Sequence, residues 1–144
     1  MLKTFANLAN LVKNNKFNIL LCVFYIVITF VTTVHHEIWR DEARVLSFLI
    51  NYNSLTDIYN NIRGDGHPFL WYIILFPFAK SGFNILAMQM ISALFCCASV
   101  VFLLFKSPFD KITKFLIVFC SGMIYYLPVI ARNYCMIPLF IFVL

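Results

Sequence analysis

From Phe17 to Val34 the chain runs for 18 residues without a charge, about the least that an α-helix needs to cross the hydrocarbon core of a bilayer. Nothing else in the sequence narrows the possible folds as much. Such a run must be covered by other protein or bathed in lipid, and the rest of the chain has little polar material for an exterior. Of 144 residues, 62% are hydrophobic and only 12% charged, too few polar groups to coat a soluble domain of this size. The expected class is an all-α integral membrane protein. A net charge of +5 does not point to nucleic acid, because the lysines flank apolar segments and form no basic face or motif.

Three further apolar stretches follow. Asn84–Phe105 and Phe115–Ile130 read as second and third spans, and Met136–Leu144 as the start of a fourth. His67–Ala79 is apolar but only 13 residues long, with Pro77 near its far end, a length suited to an interfacial or re-entrant helix. Charge supports that choice. With 67–79 not spanning, one side holds Lys3, Lys13, Lys16, Lys106, Lys111 and Lys114 against Asp110, net +5. The other side holds Arg40, Arg44, Arg63, Lys80 and Arg132 against Glu37, Asp41, Glu42, Asp57 and Asp65, net zero. The positive-inside tendency makes the lysine side cytoplasmic. The resulting organisation is one membrane module. Residues 1–16 form a cytoplasmic N-terminus, 17–34 an uncleaved signal anchor, and 35–83 an extracytoplasmic loop. Then come a span at 84–105, a cytoplasmic loop at 106–114, a span at 115–130 and a partial span at 136–144.

Within the loop, Val45, Phe48, Leu49 and Tyr52 make an i, i+3, i+4, i+7 stripe and predict a short amphipathic helix over Glu42–Asn53. Ser54 followed by Asp57 reads as a capping box opening a second helix to about Asn61. Gly64-Asp65-Gly66 is a turn, and Trp39, Trp71 and Tyr72 suit the headgroup level. The five cysteines, Cys22, Cys96, Cys97, Cys120 and Cys135, form no C-x-x-C pair and read as small buried hydrophobes.

This topology gathers every acidic residue except Asp110, all three histidines and every arginine at one surface. Asp41 and Glu42 lie just beyond the first span; their ordinary roles are helix N-cap and favourable first-turn charge. Their functional reading is a carboxylate at the lipid–water boundary, available as a general base. Asp65 and His67 sit on the G-D-G-H-P turn. Arg132 emerges after the third span, either snorkelling to headgroups or clamping a phosphate. His35, His36, Glu37 and His67 lack any H-x-x-x-H or H-E-x-x-H spacing, and adjacent histidines point apart, so no metal ligand set is predicted. No cofactor is predicted, and nothing in the sequence specifies a divalent cation.

The set "WRDEAR" (39–44), "GDGHPFLWYIIL" (64–75) and "ARNY" (131–134) resembles the N-terminal part of the C-type (GT-C) membrane glycosyltransferases. The likeness is to the branch with protein O-mannosyltransferases and aminoarabinose transferases, and it covers roughly residues 17–144. Phe69 departs from the second proline of that family's His-Pro-Pro segment. The resemblance implies sugar transfer from a polyprenyl-phosphate-linked donor to a lipid, glycan or protein acceptor at the extracytoplasmic face. It implies Asp41 as general base with Glu42 orienting the acceptor or sharing the role, and Asp65, His67, Arg132 and Tyr134 in substrate binding. Members of the family have more spans and usually a soluble C-terminal portion. The expectation is therefore an N-terminal portion of such an enzyme, inactive by itself. The competing expectation is a small non-catalytic membrane protein that packs against a membrane partner. A transporter role is disfavoured, because the complete spans carry no ionisable residue in their interiors.

Overall fold

The computed structural model describes residues 15–62, 68–79 and 85–143. All regular structure among them is helical: α1 (Lys16–Val34), α2 (Arg40–Asn51), α3 (Leu55–Asn61), α4 (Phe69–Ala79), α5 (Ile85–Lys106), α6 (Lys111–Val118) and α7 (Ile137–Val143). A π-helical turn occupies Gly122–Tyr126, and a 3-10 turn at Asn133–Met136 leads into α7. Two of these helices, α1 and α5, are long and apolar enough to cross a membrane. At about 1.5 Å per residue they measure about 28 and 33 Å, close to the ~30 Å hydrocarbon thickness.

α5 is the centre of the molecule. Its inner faces carry Ser92, Ala93, Cys96 and Ser99 among larger buried residues, and small side chains let neighbouring backbones approach closely. α1 lies against it antiparallel, as Asn18 Nδ2 near the start of α1 donates to Leu104 O near the end of α5 (2.8 Å). α1 buries only Leu21, Tyr25, Thr29 and Thr33, a single ridge at i+4 spacing. Leu20, Val23, Phe24, Val27, Phe30 and Val31 stay exposed. An exposed apolar surface of that extent is what a lipid-facing helix presents, and water does not favour it.

The segment expected as a continuous third span, Phe115–Ile130, is not one helix. α6 begins earlier, at Lys111 behind its cap Asp110, and ends at Val118. The backbone then widens: Leu127 N–H donates to Gly122 O (2.9 Å) across five residues instead of four. Pro128 is the local cause of the break, since it has no N–H to give. Two carbonyls freed by the break find side chains. Met123 O loses Leu127 N–H to Gly122, and Pro128 next along has no N–H to offer; Tyr25 Oη of α1 donates to Met123 O at 2.7 Å instead. Leu127 O accepts from Ser92 Oγ of α5 at 3.0 Å. The break thus leaves these buried backbone groups paired, as they must be away from water.

At one end of this bundle α2, α3 and α4 form a small cap. Ser54 N-caps α3 as predicted, its Oγ accepting from Asp57 N–H at 3.0 Å. The α2 stripe is also realised: Val45 and Leu49 are buried, and the half-buried Phe48 and Tyr52 rings stack at 5.6 Å. Trp71 and Tyr72 correct the headgroup expectation. Both are fully buried on α4, whose neighbours are α2 and α3, and Trp39 alone of the three is exposed. Their alternation with exposed Leu70 and Ile73 turns the aromatic face inward. Cys120 also departs from the buried-hydrophobe reading, because the chain turns outward after Val118; Cys96 and Cys135 are buried and all five cysteines are free.

Candidate functional site

The site forms where α2 starts. Trp39, in an extended conformation, occupies the N-cap position, so Arg40, Asp41 and Glu42 are the first three helical residues. This corrects the reading of Asp41 as the cap: it sits two positions past Trp39, too far into the helix to do that work. Glu42 does part of it instead. Its Oε2 reaches back to accept Trp39 N–H at 2.8 Å, the carboxylate half of a capping box.

Glu42 does more than cap. It is 0% exposed, and a carboxylate so placed is costly unless each oxygen has a partner. Its Oε1 accepts Ala131 N–H at 2.8 Å. That amide would have gone to Leu127 O had the third apolar segment stayed helical; the break releases it. His36 Nε2 lies 3.1 Å from Oε2, and the His36 side chain is itself only 4% exposed. Two backbone N–H groups and one imidazole therefore converge on one buried carboxylate, joining the end of α1, the start of α2 and the "ARNY" segment.

Asp41 precedes Glu42 by one residue and therefore lies about 100° around the helix. With Glu42 turned inward, Asp41 turns to the rim, where its side chain is 33% exposed. Arg132 Nη2 sits 3.1 Å from its Oδ2, and the Arg132 guanidinium lies over the Tyr134 ring at 5.3 Å. The other neighbour, Arg40, is almost fully exposed, 3.8 Å from Oδ1. The structure thus brings Asp41, Glu42, Arg132 and Tyr134 together at one end of the bundle, with Glu42 buried beneath the rim and not on it. Asp65 and His67 lie outside the described residues.

His36 is the participant that sequence reasoning missed. The sequence offered it only as one of a group of histidines without metal-ligand spacing, and no spacing motif links it to Glu42. The usable signal was indirect: a carboxylate beside an apolar segment needs a donor if it is buried, and His36 is among the nearest in the chain. The backbone N–H of Ala131 could not have been found at all, because its availability depends on the break at Pro128. Among the described residues no group of three or more His, Cys, Asp or Glu side chains is placed to hold a metal ion.

Chemically, the arrangement offers one accessible carboxylate beside one guanidinium on a rigid, buried support. The carboxylate can accept a proton, and the guanidinium can pair with an anionic group such as a phosphate. Comparison with protein families, with curated proteins and with solved structures finds no match to this chain.

Proposed function

We propose that this chain is the N-terminal module of a membrane glycosyltransferase that uses a polyprenyl-phosphate-linked sugar donor at the extracytoplasmic face. In this reading α1, α5, the broken 111–130 segment and α7 lie in the bilayer, with the lysine end cytoplasmic and α2–α4 at the opposite surface. The observation that carries the proposal is the Asp41–Arg132 pair, with Oδ2 and Nη2 3.1 Å apart at the end of the bundle away from the lysines. A lipid-linked donor keeps its phosphate at headgroup depth, where a guanidinium at the bundle rim can meet it.

The step follows from those two groups. An acceptor hydroxyl oxygen attacks the anomeric carbon while Asp41 takes its proton. The bond from the anomeric carbon to the phosphate oxygen breaks, and the polyprenyl phosphate leaves with the electron pair. Arg132 then neutralises the developing charge on that phosphate. Attack opposite the leaving group inverts the anomeric centre. Glu42, with both oxygens already engaged, acts in this reading by holding the start of α2 against the "ARNY" segment, while Tyr134 supports the Arg132 guanidinium. Asp65 and His67 are assigned to substrate binding on the resemblance alone.

The test is sugar transfer from a labelled polyprenyl-phosphate sugar by the full-length gene product in lipid nanodiscs. Asp41→Asn should abolish turnover while expression and unfolding temperature stay near wild type. Wild-type turnover in Asp41→Asn would remove Asp41 from the reaction. A protein that forms a stable complex with a membrane partner and never turns over lipid-linked sugar would instead support a non-catalytic role.

A further inference from the structure

At the end of the bundle away from Asp41, the starts of α1 and α6 enclose a cavity of about 330 Å³. Lys16, Phe17, Asn18, Phe109, Lys111 and Lys114 line it. Three positive charges from two elements therefore face one space, and no carboxylate among the described residues pairs with them. Two of the lysines are held in place. Lys114 Nζ donates to Leu104 O at 2.8 Å, the same carbonyl that Asn18 Nδ2 uses, and Lys111 Nζ sits 5.8 Å from the centre of the Phe17 ring. The adjacent acid, Asp110, is turned into its own helix, with Oδ2 accepting from the N–H groups of Ile112 (3.0 Å) and Thr113 (3.4 Å). Hydrogen bonds from the Thr113 hydroxyl and these amides hold its carboxyl below the usual range, against the opposing pull of desolvation. Asp110 therefore serves as a helix cap and leaves the lysines unneutralised.

Beside the basic cavity lies an apolar cleft of about 210 Å³ lined by Phe17, Lys111, Ile112 and Phe115, so Phe17 and Lys111 border both spaces. Ile112 and Phe115 are exposed on the outer face of α6. A cationic basin beside an apolar strip along a helix matches the polarity of a phospholipid, phosphate at one end and acyl chain at the other.

We propose that this is a binding site for an anionic phospholipid. Its phosphate is held by Lys16, Lys111 and Lys114, and one acyl chain lies along Phe17, Ile112 and Phe115. Inorganic phosphate shares the headgroup chemistry but would leave the apolar cleft uncovered, so the lipid is the favoured occupant. Diffuse attraction to an anionic surface needs no cavity and no paired elements; this site has both. It requires that the helices cross a bilayer and does not depend on sugar transfer. Its consequence would be to clamp α1 to α6 and fix the lysine end in one leaflet.

The purified chain in neutral detergent, titrated with phosphatidylglycerol or phosphatidylcholine and read by native mass spectrometry, should retain phosphatidylglycerol preferentially. Lys16→Gln and Lys111→Gln should each weaken that retention roughly five-fold. Lys111→Arg should preserve it, which separates loss of charge from misfolding. Asp41→Asn, at the opposite end, should bind the lipid as wild type does, so a failed glycosyltransferase reading and a failed lipid site give different results. Equal retention of the two lipids, or undiminished retention in both glutamine variants, would overturn the site. Displacement of the lipid by millimolar inorganic phosphate would reassign the cavity to a soluble anion and also overturn it.

Discussion

Adjacent carboxylates on one helix have been given opposite fates. Glu42 is buried with both oxygens bonded, whereas Asp41 is part-exposed in a rim ion pair. The expected energetics differ accordingly. Glu42→Ala strips an acceptor from two backbone N–H groups in the interior and should destabilise the protein by about 2–4 kcal/mol. Glu42→Gln keeps one acceptor oxygen and should cost less. Asp41→Asn should cost no more than about 1 kcal/mol, because partly exposed ion pairs contribute little. Chemical unfolding of the three variants in one detergent checks the order; an Asp41→Asn loss equal to that of Glu42→Ala would contradict the division of labour. The sequence made this pair the place to look but could not divide it. Successive helical positions point about 100° apart, so one faces in and one faces out, and only the packing partner decides which.

The third apolar segment shows the same limit for a whole element. Its composition fits a continuous span, and hydropathy alone registers neither Pro128 nor the widened turn before it. The structure's compensation is spread over three other elements: Tyr25 on α1, Ser92 on α5 and Glu42 on α2 each bond a backbone group that the break released. π-helical turns often accompany functional sites, and here the turn frees the amide that fixes Glu42. Tyr25→Phe should therefore lower stability by about 1 kcal/mol, since it leaves Met123 O unpaired in the interior. Thermal unfolding of that variant, followed by circular dichroism, measures the loss. No loss would mean that Met123 O has another partner. By contrast, the α2 stripe and the Ser54 cap were readable beforehand, because both depend on neighbours within one or two turns.

Across the whole molecule, the antiparallel α1–α5 pair separates two chemistries by the length of a helix. Lys16, Lys106, Lys111 and Lys114 gather where Asn18 meets Leu104, and Asp41, Glu42 and Arg132 gather where α1 ends. If the bundle spans a bilayer, single cysteines introduced at Ser107 and at Asn51 in a cysteine-free background should react with an impermeant thiol reagent from opposite faces of sealed vesicles. Reaction of both from the same face would remove the membrane topology and the anionic-lipid site together. The sequence alone determined the helical class, the apolar stretches of α1 and α5, the two-ended charge pattern and the motifs worth testing. These are properties of composition and of residues close along the chain, where periodicity and charge act directly. Only the tertiary structure decided that Glu42 is the buried member of the pair, that His36 joins it, that Trp71 and Tyr72 face inward and that the third segment breaks. Each of those outcomes depends on a donor or a surface supplied by a distant segment, and nothing local in the chain records which segment will arrive.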